Sequence, residues 1–232
     1  MRPGLILLLL VLIAGCVSMD SSRPLVTDKQ LAEETAPVLV IFLPGIRGSA
    51  EDFRRRGFFD DVDDRELPWD LVAVGLGPGH YRAGIMQQAL REEVIEPALA
   101  DGYREIWLVG VSLGGLGALR YAQEQPEHVA GVIVIAPFLG WPADLKAVAA
   151  GDQPEEAHIA ALWNGLEKGS PGRQGPPLYL LRGEDDRLRE GHRMLADKLP
   201  ADHVLTSDGG HRWSVWRSLW QSWLSGSQAG GE

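Results

Sequence analysis

Short blocks of consecutive apolar residues recur along the chain: VLVIFL (38–43), LVAVG (71–75), IWLVGV (106–111), GVIVIAP (131–137), PLYLLR (177–182) and, more weakly, HVLTS (203–207). Most are apolar throughout rather than alternating, the pattern of strands covered on both faces. Between them lie segments with helical spacing: AGIMQQALREEVIEPALAD (83–101), LGGLGALRYAQEQ (113–125), a charged stretch near 187–199 and a last one from 212 onward. Strands alternating with helices predict an open parallel sheet with helices on both faces. In such a sheet ligands sit beyond the carboxyl ends of the strands. One connection, residues 138–176, is far longer than the others, which is the length expected of a lid or binding loop.

Two terminal patterns stand apart. Trp213, Trp216, Trp220 and Trp223 fall on one helical face with Leu219 and Leu224. That face either packs on the sheet or presses into a membrane surface. The N-terminus, MRPGLILLLLVLIAGCVS, has a basic start, an apolar run and small residues before a cysteine. This is the layout of a secretory signal over residues 1–15. The run is short of the roughly 20 apolar residues that cross a bilayer. Residues 16–36 are polar and read as a tether.

Composition narrows the classes. The chain has 232 residues, 45% of them hydrophobic, and no internal composition shift, so one domain over 37–226 is expected, with a tail at 227–232. A net charge of -10 with no basic stripe excludes a nucleic-acid partner. The single cysteine leaves no internal disulfide. There is no H-E-x-x-H, cysteine pair or histidine cluster, so neither a metal nor a cofactor is expected. The glycine-rich Gly75–Gly79 matches no phosphate-binding fingerprint and reads as a turn.

Gly110-Val111-Ser112-Leu113-Gly114 fits G-x-S-x-G at the junction of a strand and a helix. In that context a serine is held on a tight, strained turn with its hydroxyl exposed above the sheet, although the same glycines would also suit simple close packing. A serine hydroxyl needs a base, and the base needs a third group to fix its tautomer. Glu184, Asp185 and Asp186 follow one later strand, and His211 follows the next.

With these pieces in order, LPGIRGS after the first strand, GVSLGG at the turn, GEDDR after the fifth and GGHRW near the end, the chain resembles the α/β-hydrolase superfamily over residues 38–224. Its GYREIWLVGVSLGG and APFLG segments are also similar to a small bacterial group of serine hydrolases. The resemblance implies Ser112 as nucleophile, Asp186 as acid with Asp185 as its rival, and His211 as base. The other histidines, at 80, 128, 158, 192 and 203, read as surface or loop residues. The resemblance also implies an oxyanion hole from the backbone N–H groups of Ile46 and Leu113, although the superfamily's frequent His-Gly is here Pro44-Gly45.

Arg47 would either meet a substrate carboxylate or remain solvated. A short cap over 138–177 would carry Phe138, Trp141 and Trp163, which either line an acyl pocket or pack on their own domain. The antiparallel hairpin that opens larger relatives is not legible, so a reduced sheet of six parallel strands in the order 2-1-3-4-5-6 is expected. The implied activity is hydrolysis of small or acyl esters through an acyl-enzyme. A thioesterase, a peptidase and a non-catalytic binding module on the same fold are the alternatives. Ile13-Ala14-Gly15-Cys16 in turn resembles the lipobox of bacterial lipoproteins, which implies lipidation of Cys16 and a membrane-anchored envelope protein. An ordinary signal with an incidental cysteine is the competing reading. Val17, where an aspartate would mark inner-membrane retention in many Gram-negative lipoproteins, points to the outer membrane if the organism has one.

Overall fold

The computed structural model describes residues 25–32 and 36–229. The expected leader 1–15 and Cys16 lie outside the described residues. Among the described residues seven strands form one sheet: β1 (Thr27–Gln30), β2 (Val38–Leu43), β3 (Trp69–Val74), β4 (Glu105–Val111), β5 (Gly131–Ile135), β6 (Leu178–Gly183) and β7 (Val204–Ser207). Their spatial order is β1-β3-β2-β4-β5-β6-β7. Strands β2 to β7 are parallel, in the order expected from the sequence. Central strands such as β5 are buried along their whole length, which is why they lack alternation.

The expectation of six strands, all parallel, is corrected by β1, which pairs antiparallel with β3 from Thr27↔Val74 to Gln30↔Leu71. It falls within the segment expected to be a tether. The sequence TDKQ carries no hydrophobic signal because β1 is an edge strand held by polar contacts. Arg54 donates to both carboxylate oxygens of Asp28, to the Gln30 side-chain oxygen and to the Lys29 carbonyl. Nearby, Asp70 accepts from the Ala32 N–H and the Tyr103 hydroxyl.

The helices are α1 (Glu51–Arg55), α2 (Asp60–Asp63), α3 (Pro78–Arg82), α4 (Met86–Leu90), α5 (Glu96–Ala100), α6 (Leu113–Glu124), α7 (Pro142–Ala150), α8 (Ala157–Glu167), α9 (Arg189–Ala196) and α10 (Trp213–Ala229). A π turn, Arg91–Ile95, joins α4 to α5. The turn expected at Gly75–Gly79 opens into α3, with Pro78 at its first position. Helix α10 runs past position 226, where the domain was expected to close.

Side chains of one sheet face, such as Ile41, Leu108 and Val134, pack with α4 to α6, α8 and α9. Those of the other face, such as Phe42, Val109 and Ile135, pack with α1, α2 and α10. The tryptophan face therefore belongs to the core. Trp216, Trp220 and Trp223 are buried, and the Trp220 indole N–H donates to the Phe58 carbonyl at 3.2 Å. The Trp220 ring stacks on Phe58 and Trp223 and meets Phe42 edge-on. No described helix is long and apolar enough to cross a membrane.

Candidate active site

Strand β4 ends at Val111 and α6 begins at Leu113, so Ser112 alone makes the turn. It does so at φ 53° and ψ -113°, a backbone conformation that costs a non-glycine residue free energy. The flanking glycines are needed because the chain has no room for side chains there. A Cβ on Gly110 would lie 2.3 Å from the Gly114 carbonyl oxygen, and one on Gly114 would lie 2.0 Å from the Leu43 oxygen. The turn is held from both sides: the Ser112 N–H donates to the Ile135 carbonyl, and the Ser112 carbonyl accepts from Phe138 N–H at 2.8 Å.

The loops after β6 and β7 bring two more side chains to this point. His211 Nε2 lies 3.0 Å from Ser112 Oγ, and its Nδ1 lies 2.9 Å and 3.1 Å from the two Asp186 oxygens. Asp186 is fully buried and also accepts the Leu188 N–H at 2.8 Å. Burial works to raise its pKa, but the His211 and Leu188 hydrogen bonds outweigh that and hold the carboxyl below its usual range. An ionised carboxylate only accepts hydrogen bonds, so Nδ1 carries the imidazole proton and Nε2 offers its lone pair to the Ser112 hydroxyl. The Trp216 ring packs edge-on against the imidazole at 4.8 Å and limits its rotation. Asp185, the rival acid, is exposed, as is Asp208.

Beside Ser112 lies a cavity of about 670 Å³ that Ile46 and Leu113 also line. Gly45 brings the loop after β2 against the turn, where a Cβ would lie 3.3 Å from that of Ser112. Among the described residues neither Ile46 N–H nor Leu113 N–H is engaged by a protein acceptor, so both main-chain donors are available next to the serine. Phe138 and Trp141 line the same cavity and meet edge-to-face at 4.9 Å, with Trp141 62% exposed at its mouth.

Three expectations change. Trp163 does not line the cavity: it is 2% exposed, lies on the buried face of α8, and donates its indole N–H to the Leu139 carbonyl at 2.8 Å. Arg47 is exposed and outside the cavity lining, which instead includes Arg82 and Arg187. His192, read as a surface or loop residue, is fully buried on α9, with Nε2 3.0 Å from the Pro137 carbonyl. Arg187 stood in plain view next to Asp186 within GEDDR. Arg82 had no sequence signal, because α3 was not legible. No group of three or more metal-ligating side chains occurs among the described residues.

A family model described as the alpha/beta hydrolase fold matches residues 99–157, which contain the Ser112 turn. No curated protein matches the chain by sequence. Among solved structures, a ferulic acid esterase superposes with a TM-score of 0.62 at 19% identity, covering 86% of this chain and 95% of that one. An S-formylglutathione hydrolase from Staphylococcus aureus gives 0.60 at 14% identity, covering 83% and 82%. A monoacylglycerol lipase from Paleococcus ferrophilus gives 0.59 at 17% identity, covering 88% and 99%. The fold of this chain is the α/β-hydrolase fold.

Proposed function

We propose that the protein is a serine hydrolase that cleaves carboxylic esters through an acyl-enzyme. The observation that carries this reading is the unbroken hydrogen-bonded series from Ser112 Oγ through His211 to the buried Asp186, opening on a cavity. In the proposed first step His211 Nε2 removes the hydroxyl proton as Oγ attacks the ester carbonyl carbon. Negative charge then develops on the carbonyl oxygen, and the N–H groups of Ile46 and Leu113 receive it. Asp186 stabilises the imidazolium that forms. Collapse of the intermediate breaks the bond to the leaving alkoxide, which takes the proton from Nε2. Water activated by the same nitrogen then releases the acid and restores Ser112.

Esters are favoured over amides by the company of the fold, which includes an esterase and a lipase among its similar structures. Phe138 and Trp141 would contact the apolar part of the substrate. The test is a panel of 4-nitrophenyl esters of increasing acyl length. Turnover that falls by about 10⁴-fold or more in Ser112→Ala supports the reading, whereas variant rates equal to wild type would overturn it.

We further propose that Cys16 is lipidated and anchors the enzyme in the cell envelope, at the outer membrane where there is one. The support is the signal layout and the lipobox-like Ile13–Cys16. Cys16→Ser should move the protein from the membrane to the soluble fraction, and unchanged membrane retention would contradict the anchor.

A further inference from the structure

We propose that the substrate ester bears an anionic group, a carboxylate or a phosphate, which Arg82 and Arg187 hold while the apolar part rests against Phe138 and Trp141. This rests on the reading of Ser112 as the acylating nucleophile. Both arginines line the cavity that opens on Ser112, and they come from separate elements: Arg82 closes α3 and Arg187 follows the buried Asp186. Neither guanidinium has a hydrogen bond or ion pair among the described residues.

Both arginines are exposed to solvent, so their unpaired state matters through their place at the cavity beside Ser112. Among the described residues Arg54, Arg120 and Arg217 are held by Asp28, Glu124 and Asp61, and Arg47, Arg104 and Arg193 are unpaired like Arg82 and Arg187, but of these five only Arg82 and Arg187 line the cavity. The cavity lining contains a single carboxylate, Glu190, which makes no ion pair with either arginine, so the local balance is positive in a molecule whose overall charge is -10. A second cavity of about 760 Å³ adjoins the first and shares Tyr81, Arg82, Leu113 and Phe138. Its other arginines, Arg91 and Arg120, are already paired with glutamates. A substrate extending past Phe138 in either direction therefore meets Arg82 as a free cation.

The planar guanidinium suits the two oxygens of a carboxylate or phosphate better than any neutral group. The apolar walls explain why the anion must be attached to a hydrophobic body. Recognition would thus select anionic amphiphilic esters and would act on specificity rather than on the bond-breaking step.

Two matched pairs of substrates test this. The mono-4-nitrophenyl ester of adipic acid against 4-nitrophenyl heptanoate places the charge on the acyl side. A 1-acylglycerol 3-phosphate against the 1-acylglycerol of the same chain places it on the leaving group. In at least one pair the wild type should prefer the anionic member in kcat/KM by about tenfold, as two partly exposed charge contacts allow. The ratio should fall to about one in the Arg82→Gln/Arg187→Gln double variant. Equal rates or a preference for the neutral member in both pairs would overturn the proposal, as would a preference that survives the double substitution. A fluorophosphonate adduct on Ser112 in the same preparation separates the two failures. Absence of anion selectivity in the wild type with the adduct present refutes anion recognition alone, whereas no adduct and no turnover refutes the nucleophile and this inference together.

Discussion

Exchange of His192 for glutamine should make the stability of the protein less sensitive to mild acid. The imidazole is fully enclosed, its Nε2–H donates to the Pro137 carbonyl at 3.0 Å, and its Nδ1 has no hydrogen-bond partner among the described residues. Protonation would place a buried charge with an unanswered donor at Nδ1. Burial accordingly pushes the pKa from 6.5 down to about 4, against the opposing pull of the Asp186 carboxylate and the Pro137 carbonyl. In the unfolded chain the same ring titrates near 6.5. Between these values the unfolded state takes up a proton that the native state refuses, so this residue's contribution to stability rises with pH across the window.

At about pH 4.5 the unfolded imidazole is almost fully protonated while most native molecules keep it neutral. The resulting penalty relative to neutral pH is on the order of 2–3 kcal/mol. Glutamine retains an N–H able to reach the Pro137 carbonyl but does not titrate. Urea unfolding of both proteins at neutral pH and at about pH 4.5 isolates the effect, because all other titrating groups are common to the two. Wild type should lose on the order of 2–3 kcal/mol more than His192→Gln on acidification. Equal losses would refute the argument that a buried, half-satisfied imidazole resists protonation here.

Asp186→Asn should lower kcat on the order of 10⁴-fold with little change in KM, because an amide at this position no longer enforces the Nδ1–H tautomer, and wild-type kcat would contradict the role. Because the native Asp186 carboxyl is held below its usual range, its stabilising contribution is present above about pH 4 and is lost as pH falls below that. Acid titration of unfolding in wild type against the asparagine variant should show that extra loss only in wild type. Trp220→Ala should cost about 3–5 kcal/mol in denaturant unfolding, since it empties a fully buried ring site and orphans the Phe58 carbonyl. A loss under about 1 kcal/mol would mean that the tryptophan face does not anchor α10 to the sheet.

Buried parallel strands announce themselves as continuous apolar runs, and these located β2 to β7 to within about two residues. The local requirement for a strained serine between glycines was equally legible, because close backbone approach leaves Gly110 and Gly114 no substitute. What escaped were features set by distant partners. Strand β1 is polar because its stability comes from Arg54 and from pairing with β3, neither of which is near it in sequence. Trp163 and Trp141 look alike in the chain, yet one lies on the buried face of α8 and the other at the cavity mouth, a difference made by packing across the cap. His192 carried no periodic signal for burial. Arg82 became visible only when a glycine-rich turn proved to lead into α3.

Intact-protein mass spectrometry after treatment with a fluorophosphonate tests whether Ser112 is an activated nucleophile. One adduct per chain, carried by the peptide containing Ser112 and absent from Ser112→Ala, is the predicted result. No adduct on the folded wild type, or an adduct that persists in Ser112→Ala, would contradict the account.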